Sequence, residues 1–230
     1  LIFLFLCVCL LAFSFREFKL YQLVKDLPTS KIRSVAIGLA ELKGRVVKAK
    51  EQFKAPISKV RCVYYRVLVE ELRKHGKTST WVTIYEDEKR THFYLDDGTG
   101  RILVDPNGAR FELEPKINVT SGLFKRFPKN VQGFLEKSGI VRFSFIPRTM
   151  RVREFALQLG SSAYVLGYVG DNPFVKETWA RNSYEDLMVQ KGKYERVFLI
   201  SDKKEKALLR ALKLRFLLCF FIGLIFSTLG

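Results

Sequence analysis

A mainly β fold, an OB-like small barrel or meander with one or two short helices and a transmembrane helix at each end, is the class this sequence predicts. Three observations predict it. Apolar and polar residues alternate at period two over Val35, Ile37 and Leu39, and again over Val63, Tyr65, Val67 and Val69, the signature of half-buried strands. Turn chemistry recurs at short spacing, at Gly76, at Asp96-Asp97-Gly98-Thr99-Gly100 and at Asp105-Pro106-Asn107-Gly108, where Asp, Asn and Gly supply local hydrogen bonds and positive φ. Both ends are uncharged and apolar, LIFLFLCVCLLAFSF over 1–15 and FLLCFFIGLIFSTLG over 216–230.

In chain order, residues 1–15 form a helix of about 22 Å against a hydrocarbon core of about 30 Å, so they read as the end of a truncated transmembrane helix. A signal peptide is the competing reading, but no small-residue cleavage site follows the apolar run. Residues 16–33 read as a basic juxtamembrane connector carrying Arg16, Lys19, Lys25, Lys31 and Arg33. Its helical stripe of Leu20, Leu23, Val24 and Leu27 is stopped by Pro28. The β domain spans 34–201, with Phe93, Leu95, Ile102 and Val104 expected to face one core.

Within that domain 128–139 reads as a helix, with Pro128 in its first turn, Val131, Phe134 and Leu135 on one face and Gly139 as its stop. It is expected to cap the barrel. Further strands are expected over 152–159, 164–169 and 196–200, with Gly160 and Gly167 at bends or close contacts. The stretch 170–195 has no clear period and reads as a loop with a short helix around 184–189. Ser201 or Asp202 then caps a basic helix over 202–215, which leads into a second, truncated transmembrane helix over 216–230.

The 230 residues, 48% of them apolar, suffice to bury a core, and without the two ends they fit one domain. Forty Lys and Arg against 23 Asp and Glu give a net charge of +17, which favours anionic partners, either phospholipid headgroups or nucleic acid. Cys7, Cys9 and Cys219 lie in the apolar ends, so Cys62 is the single thiol of the body, expected buried on a strand. No disulfide framework can form within the body, and Cys62, His75 and His92 share no zinc-ligand spacing. Asp96 and Asp97 lack a third carboxylate at Ca²⁺-loop spacing and read as a structural turn. With no phosphate-cradling Gly loop, no GxSxG elbow and no Ser-His or Cys-His pair, no catalytic, cofactor-binding or metal-ligating residue is assigned and no cofactor is expected.

Several motifs recur in the order of a known domain. They are Pro28-Thr29-Ser30-Lys31-Ile32, then Gly38, Glu41 and Gly44, then Ala55-Pro56-Ile57-Ser58-Lys59 and Cys62-Val63-Tyr64-Tyr65-Arg66. Leu95-Asp96-Asp97-Gly98-Thr99-Gly100, Glu154, Gly160 and Tyr164-Val165-Leu166-Gly167 extend the match to roughly residues 28–205. The pattern resembles the GIDE, or "beside a membrane", domain of membrane-bound mitochondrial and chloroplast RING-type ubiquitin ligases and their prokaryotic relatives. That resemblance implies a non-catalytic β domain between two membrane helices, with the RING following the second. A RING is folded around zinc held by paired Cys and His ligands, and this sequence has no such set.

The expected function is therefore a membrane-anchored scaffold or recruitment domain lying against the bilayer. Its anionic headgroups would be met by Arg16, Lys19, Lys203, Lys204, Lys206, Arg210, Lys213 and Arg215, and its protein partner is not identifiable from sequence. One alternative is a fragment of a RING-type E3 ubiquitin transferase whose RING lies beyond residue 230. A second is an OB-like nucleic-acid-binding module stacking bases on Tyr64, Tyr65, Trp81, Tyr85 and Tyr94. Strand-face packing is the plainer use of those aromatics, and tethering at both ends argues against nucleic acid. Localisation is expected to be integral, with two transmembrane segments. Basic residues on the domain side of both spans put the domain in the cytoplasm, whereas the resemblance puts it in the intermembrane space. The acceptor triplet Asn118-Val119-Thr120 would report translocation.

Overall fold

The computed structural model describes residues 2–76, 78–122, 126–140, 149–175, 186–193, 197–203 and 205–228, with side chains for all of these except 2–7, 75, 205–206 and 223–228. The chain runs through helix α1 (Ile2–Asp26), then β1 (Thr29–Ser30), β2 (Gly38–Lys48), β3 (Phe53–Lys54), β4 (Arg61–His75) and β5 (Thr78–Arg90). It continues through β6 (Phe93–Asp96), β7 (Arg101–Val104), β8 (Arg110–Glu112), β9 (Pro115–Thr120) and helix α2 (Lys129–Lys137). Last come β10 (Met150–Gln158), β11 (Ser162–Asp171), β12 (Leu187–Gln190), β13 (Leu199–Ser201) and helix α3 (Glu205–Thr228).

Five strands close a barrel. β2 pairs antiparallel with β6, β6 with β7, β7 runs parallel to β12, β12 returns antiparallel to β11, and β11 pairs with β2. The two long-range junctions that seal it are Arg45 opposite Ser162 through Gly38 opposite Val169, and Met188–Val189 beside Leu103–Val104. The expected small barrel is thus present as a closed five-stranded one. Phe93, Leu95, Ile102 and Val104 fill the interior with Leu42, Val46, Val165 and Val189, all buried. Two glycines permit the strand spacing: a Cβ on Gly44 would stand 2.7 Å from the carbonyl oxygen of Asp96, and one on Gly167 2.7 Å from the Phe198 ring. Outside the barrel, β1 adds parallel to β2, and β13 pairs with β11 and carries β8.

A second sheet stands on the barrel. β4, the longest strand, is flanked by β10 on one side and by β3 and β5 on the other, with β9 beyond β10. Val63, Tyr64 and Leu157 join the barrel core, while Tyr65, Val67, Val69, Val152 and Ala156 form a separate core with Val131 and Leu135 of α2. The helix expected to cap the barrel therefore covers this second sheet. Pro128 precedes its first turn as the N-cap residue.

α1 and α3 pack side by side on the outer wall of the barrel. Leu20, Val24, Leu208 and Leu212 bury against Tyr164 and Leu166 of β11 and Leu199 of β13. Each fully buried leucine contributes about 1.5–3 kcal/mol. The expected transmembrane helices are corrected here: among the described residues no helix is long and apolar enough to cross a membrane. α1 is one continuous helix through the position expected to divide span from connector, and its apolar run stops at Arg16 and Glu17, giving about 20 Å of uncharged helix. In α3 the charges extend to Arg215.

Three further expectations change. Residues 35–37 are not a strand: Ile32–Ser34 form a 3₁₀ turn that puts Ile32 in the core, and Ile37 is 61% exposed. The short helix expected around 184–189 is replaced by β12, whose four residues close the barrel, with 184 and 185 lying outside the described residues. Of the strand expected over 196–200, Arg196 lies outside the described residues and Leu199–Ser201 forms β13.

Candidate functional site

Two buried carboxylates, Glu154 and Glu41, and the half-buried Asp97 account for much of the motif set. Glu154, on β10, accepts the backbone N–H of Ile57 at 2.6 Å and of Ser58 at 2.9 Å, fixing the Ala55-Pro56-Ile57-Ser58-Lys59 loop against the second sheet. Glu41, on β2, accepts the hydroxyls of Thr29 at 2.5 Å and Tyr164 at 2.7 Å, so β1, β2 and β11 meet on one side chain. Asp97 accepts the N–H groups of Ile32 at 3.0 Å, Thr99 at 2.8 Å and Gly100 at 3.2 Å and the Thr99 hydroxyl at 2.6 Å. Burial alone would raise the Asp97 pKa, but these donors hold it below the ordinary value. The Asp96-Asp97 pair is thus a turn lock, with Asp96 bound to Arg101 at 2.7 Å.

The second constellation joins the helix pair to the sheet. Glu17 of α1, with no exposed surface, takes the guanidinium of Arg110 in a two-pronged contact at 2.5 and 3.1 Å. Arg110 also donates to Glu112 at 2.9 Å, and Glu112 takes Arg215 of α3 at 2.5 and 3.0 Å. Lys203 Nζ stands 4.0 Å from the same carboxylate. Burial would push Glu112 up and Arg110 down; the opposite charges prevail, holding Glu112 below and Arg110 above their ordinary values. Sequence reading missed Glu17, Arg110 and Glu112. The available signal was an acidic residue one position past an apolar run, behind Arg16, and another between Phe111 and Leu113.

The residues expected to meet headgroups divide. Arg16, Lys19, Arg210 and Lys213 are exposed on the helix pair, whereas Lys203 and Arg215 turn to Glu112. Lys204 lies outside the described residues, as does the side chain of Lys206. Beyond the exposed cations the helices carry exposed Val8, Leu11, Phe13 and Phe15 on α1 and Leu214, Leu218 and Phe221 on α3.

The aromatics considered for base stacking are mostly occupied. Tyr64 stacks on Phe111 with ring centroids 3.5 Å apart, Tyr65 donates to Asp87 at 3.0 Å, Tyr85 packs edge-on to Phe134, and Arg151 lies over Trp81. Tyr94 is exposed. Cys62 is buried on β4, and burial followed by the Glu154 charge pushes its thiol up to about 11. His92 faces Asp105 at 3.6 Å and packs on Phe174. Among the described residues no group of three His, Cys, Asp or Glu is placed to hold a metal ion.

A closed five-stranded barrel, a second sheet beside it and a charge-locked helix pair define a β domain whose sequence motifs serve its architecture. Residues 64–230 match the sequence profile of GIDE, described as E3 ubiquitin ligase, and the chain belongs to the GIDE family. The motifs quoted over 28–62 precede the matched residues. No curated protein and no solved structure matches the chain.

Proposed function

We propose that the chain is a recruitment domain of a ubiquitin-ligase system that lies against an anionic membrane surface and performs no chemistry of its own. The observation that carries this reading is the helix pair, where exposed Arg16, Lys19, Arg210 and Lys213 border an exposed apolar stretch that includes Phe13, Phe15, Leu214 and Phe221. Cations beside apolar side chains suit an interfacial contact, each contributing about 1 kcal/mol near anionic headgroups. Support for recruitment in place of catalysis comes from Cys62, which is buried and has a raised thiol pKa, and so is a poor thioester acceptor.

Vesicle flotation tests the surface contact. Phosphatidylglycerol vesicles are expected to retain the full chain and neutral phosphatidylcholine vesicles to retain far less. Lys19→Gln with Lys213→Gln lowers retention roughly thirtyfold, the equivalent of two lost headgroup contacts. Equal retention on both vesicles overturns the reading. In a reconstituted reaction with activating and conjugating enzymes the chain alone forms no ubiquitin conjugate; a conjugate lost on Cys62→Ser would show an active site and sink the non-catalytic assignment.

A further inference from the structure

A cleft of about 360 Å³ opens where the second sheet meets β8, Lys203 ahead of α3 and Arg215 within α3. One wall is aromatic, formed by the stacked Tyr64 and Phe111 and by Phe155. Its charge is one-sided: Arg66, Arg153, Lys203 and Arg215 line it, and Glu112 is its single lining carboxylate. Three chain segments distant in sequence supply these cations.

Pairing does not neutralise them. Glu70 faces both Arg151 and Arg153 at 2.8–3.0 Å, and Glu17 and Glu112 together face Arg110, Lys203 and Arg215. Among the described residues each cluster therefore keeps one positive charge unmatched. Arg66 reaches Glu86 through Nε alone, at 2.7 Å, and among the described residues its two terminal nitrogens have no acceptor. Lys203 Nζ, at 4.0 Å from Glu112, lies beyond hydrogen-bond distance. Gathering unmatched cations at a partly enclosed junction costs folding free energy unless an anion completes the site. Two unmatched charges suit a phosphomonoester, which carries about −1.5 to −2 at neutral pH, and guanidinium forks suit its oxygens. The volume falls within the roughly 300–1,000 Å³ of small-ligand sites.

We propose that this cleft binds a phosphomonoester, with the terminal nitrogens of Arg66 and the ammonium of Lys203 on phosphate oxygens and the Tyr64–Phe111 wall against the carbon body. An anionic lipid headgroup and a free phosphorylated compound share this chemistry. The site rests on its own residues and stands or falls independently of the interfacial contact.

The test uses the full chain in zwitterionic detergent, titrated with glycerol 3-phosphate by calorimetry, and flotation on vesicles of phosphatidic acid against phosphatidylglycerol at matched surface charge. Binding of glycerol 3-phosphate identifies a free ligand; preference for phosphatidic acid without it identifies a headgroup. In either case Arg66→Gln and Lys203→Gln each weaken binding at least tenfold, while the Lys19→Gln, Lys213→Gln pair leaves the phosphate preference intact. Phosphorus NMR line broadening of the probe supplies a second measurement should one variant fold poorly. The proposal is overturned if glycerol 3-phosphate does not bind and the two vesicles are retained equally, or if both cleft variants bind like the parent chain.

Discussion

Glu154 and Ile57, 97 residues apart, are joined by a 2.6 Å hydrogen bond in which a fully buried carboxylate accepts a backbone N–H. The neighbouring Ser58 N–H binds the other carboxylate oxygen. A loop whose backbone donors would otherwise be orphaned is thus held by one side chain from a distant strand.

Replacing Glu154 by Ala leaves those two backbone donors, one buried and one part-buried, without that acceptor. Hydrogen bonds to a charged group contribute about 1.5–3 kcal/mol each, so a loss of about 3 kcal/mol or more is expected in urea unfolding. Amide exchange should accelerate first at Ile57 and Ser58. Protection there equal to the parent chain would show that the loop is fixed by packing instead.

The Glu112–Arg215 pair ties α3 to β8. A double-mutant cycle with Glu112→Gln and Arg215→Met should give a coupling of about 1.5–3 kcal/mol, well above the 0–1 kcal/mol of an exposed pair, because Glu112 is almost wholly buried. Glu112→Gln alone should cost more than Arg215→Met, since it also takes from Arg110 one of its two carboxylate partners. A coupling below about 0.5 kcal/mol would demote the lock to a surface contact.

Glu112, Glu70 and Asp97 all sit below their ordinary pKa: against burial, Arg215 and Arg110 hold the first, Arg151 and Arg153 the second, and backbone and hydroxyl donors the third. A group depressed in the folded state adds stability that is fully present above its unfolded pKa, about 4, and is lost as pH falls through the folded value. Stability should therefore be level from about pH 7 to 5 and decline below about 4. Denaturation midpoints across that range check this, and the Glu112→Gln chain should show a shallower decline. An equal slope in both chains would remove Glu112 from the account.

Gly44→Ala should be severely destabilising, by about 2–3 kcal/mol or more, because its Cβ meets a backbone carbonyl and cannot be relieved by a rotamer change. Gly167→Ala meets the Phe198 ring, which can give way in part, so its cost should be smaller. Gly133, inside α2 with nothing within 4 Å of a new Cβ, should gain up to about 1 kcal/mol as Ala. Thermal melts rank the three; a stabilised Gly44→Ala chain would mean that β2 and β6 can separate.

The barrel was legible where periodicity and turn residues agreed, as at Phe93, Leu95, Ile102 and Val104 with their Asp-Gly turns. β12 was hidden because four residues, half of them buried, are too short for any period to show. The second sheet was hidden for another reason: Tyr64 and Tyr65 are both buried, on opposite faces, so alternation along β4 marks two cores and not one. Ile37 misled because its apolar spacing fits a strand while the chain turns ahead of it. Glu17 and Arg110 were out of reach, since a contact spanning 93 residues leaves no local trace. The apolar ends had the composition of a span, but Glu17 behind the first run is buried against Arg110 and Arg215 ahead of the second is paired with Glu112, contacts that composition does not show.

The β2–β11 junction sets the order in which this chain can be made. Arg45 waits for Ser162, and Gly38 for Val169, so the early strands leave the ribosome more than a hundred residues before the partner that seals them. Loop closure over that distance must precede its reward, which places folding at the slow end for a small β barrel. During synthesis the nascent β2 edge is open, and hairpins such as β4–β5 and β6–β7 can form first because their partners are adjacent in sequence. A ribosome-bound chain stopped shortly after residue 140 should therefore carry protease-resistant hairpins around an unclosed barrel, whereas one extended past Ser201 should become resistant throughout β2.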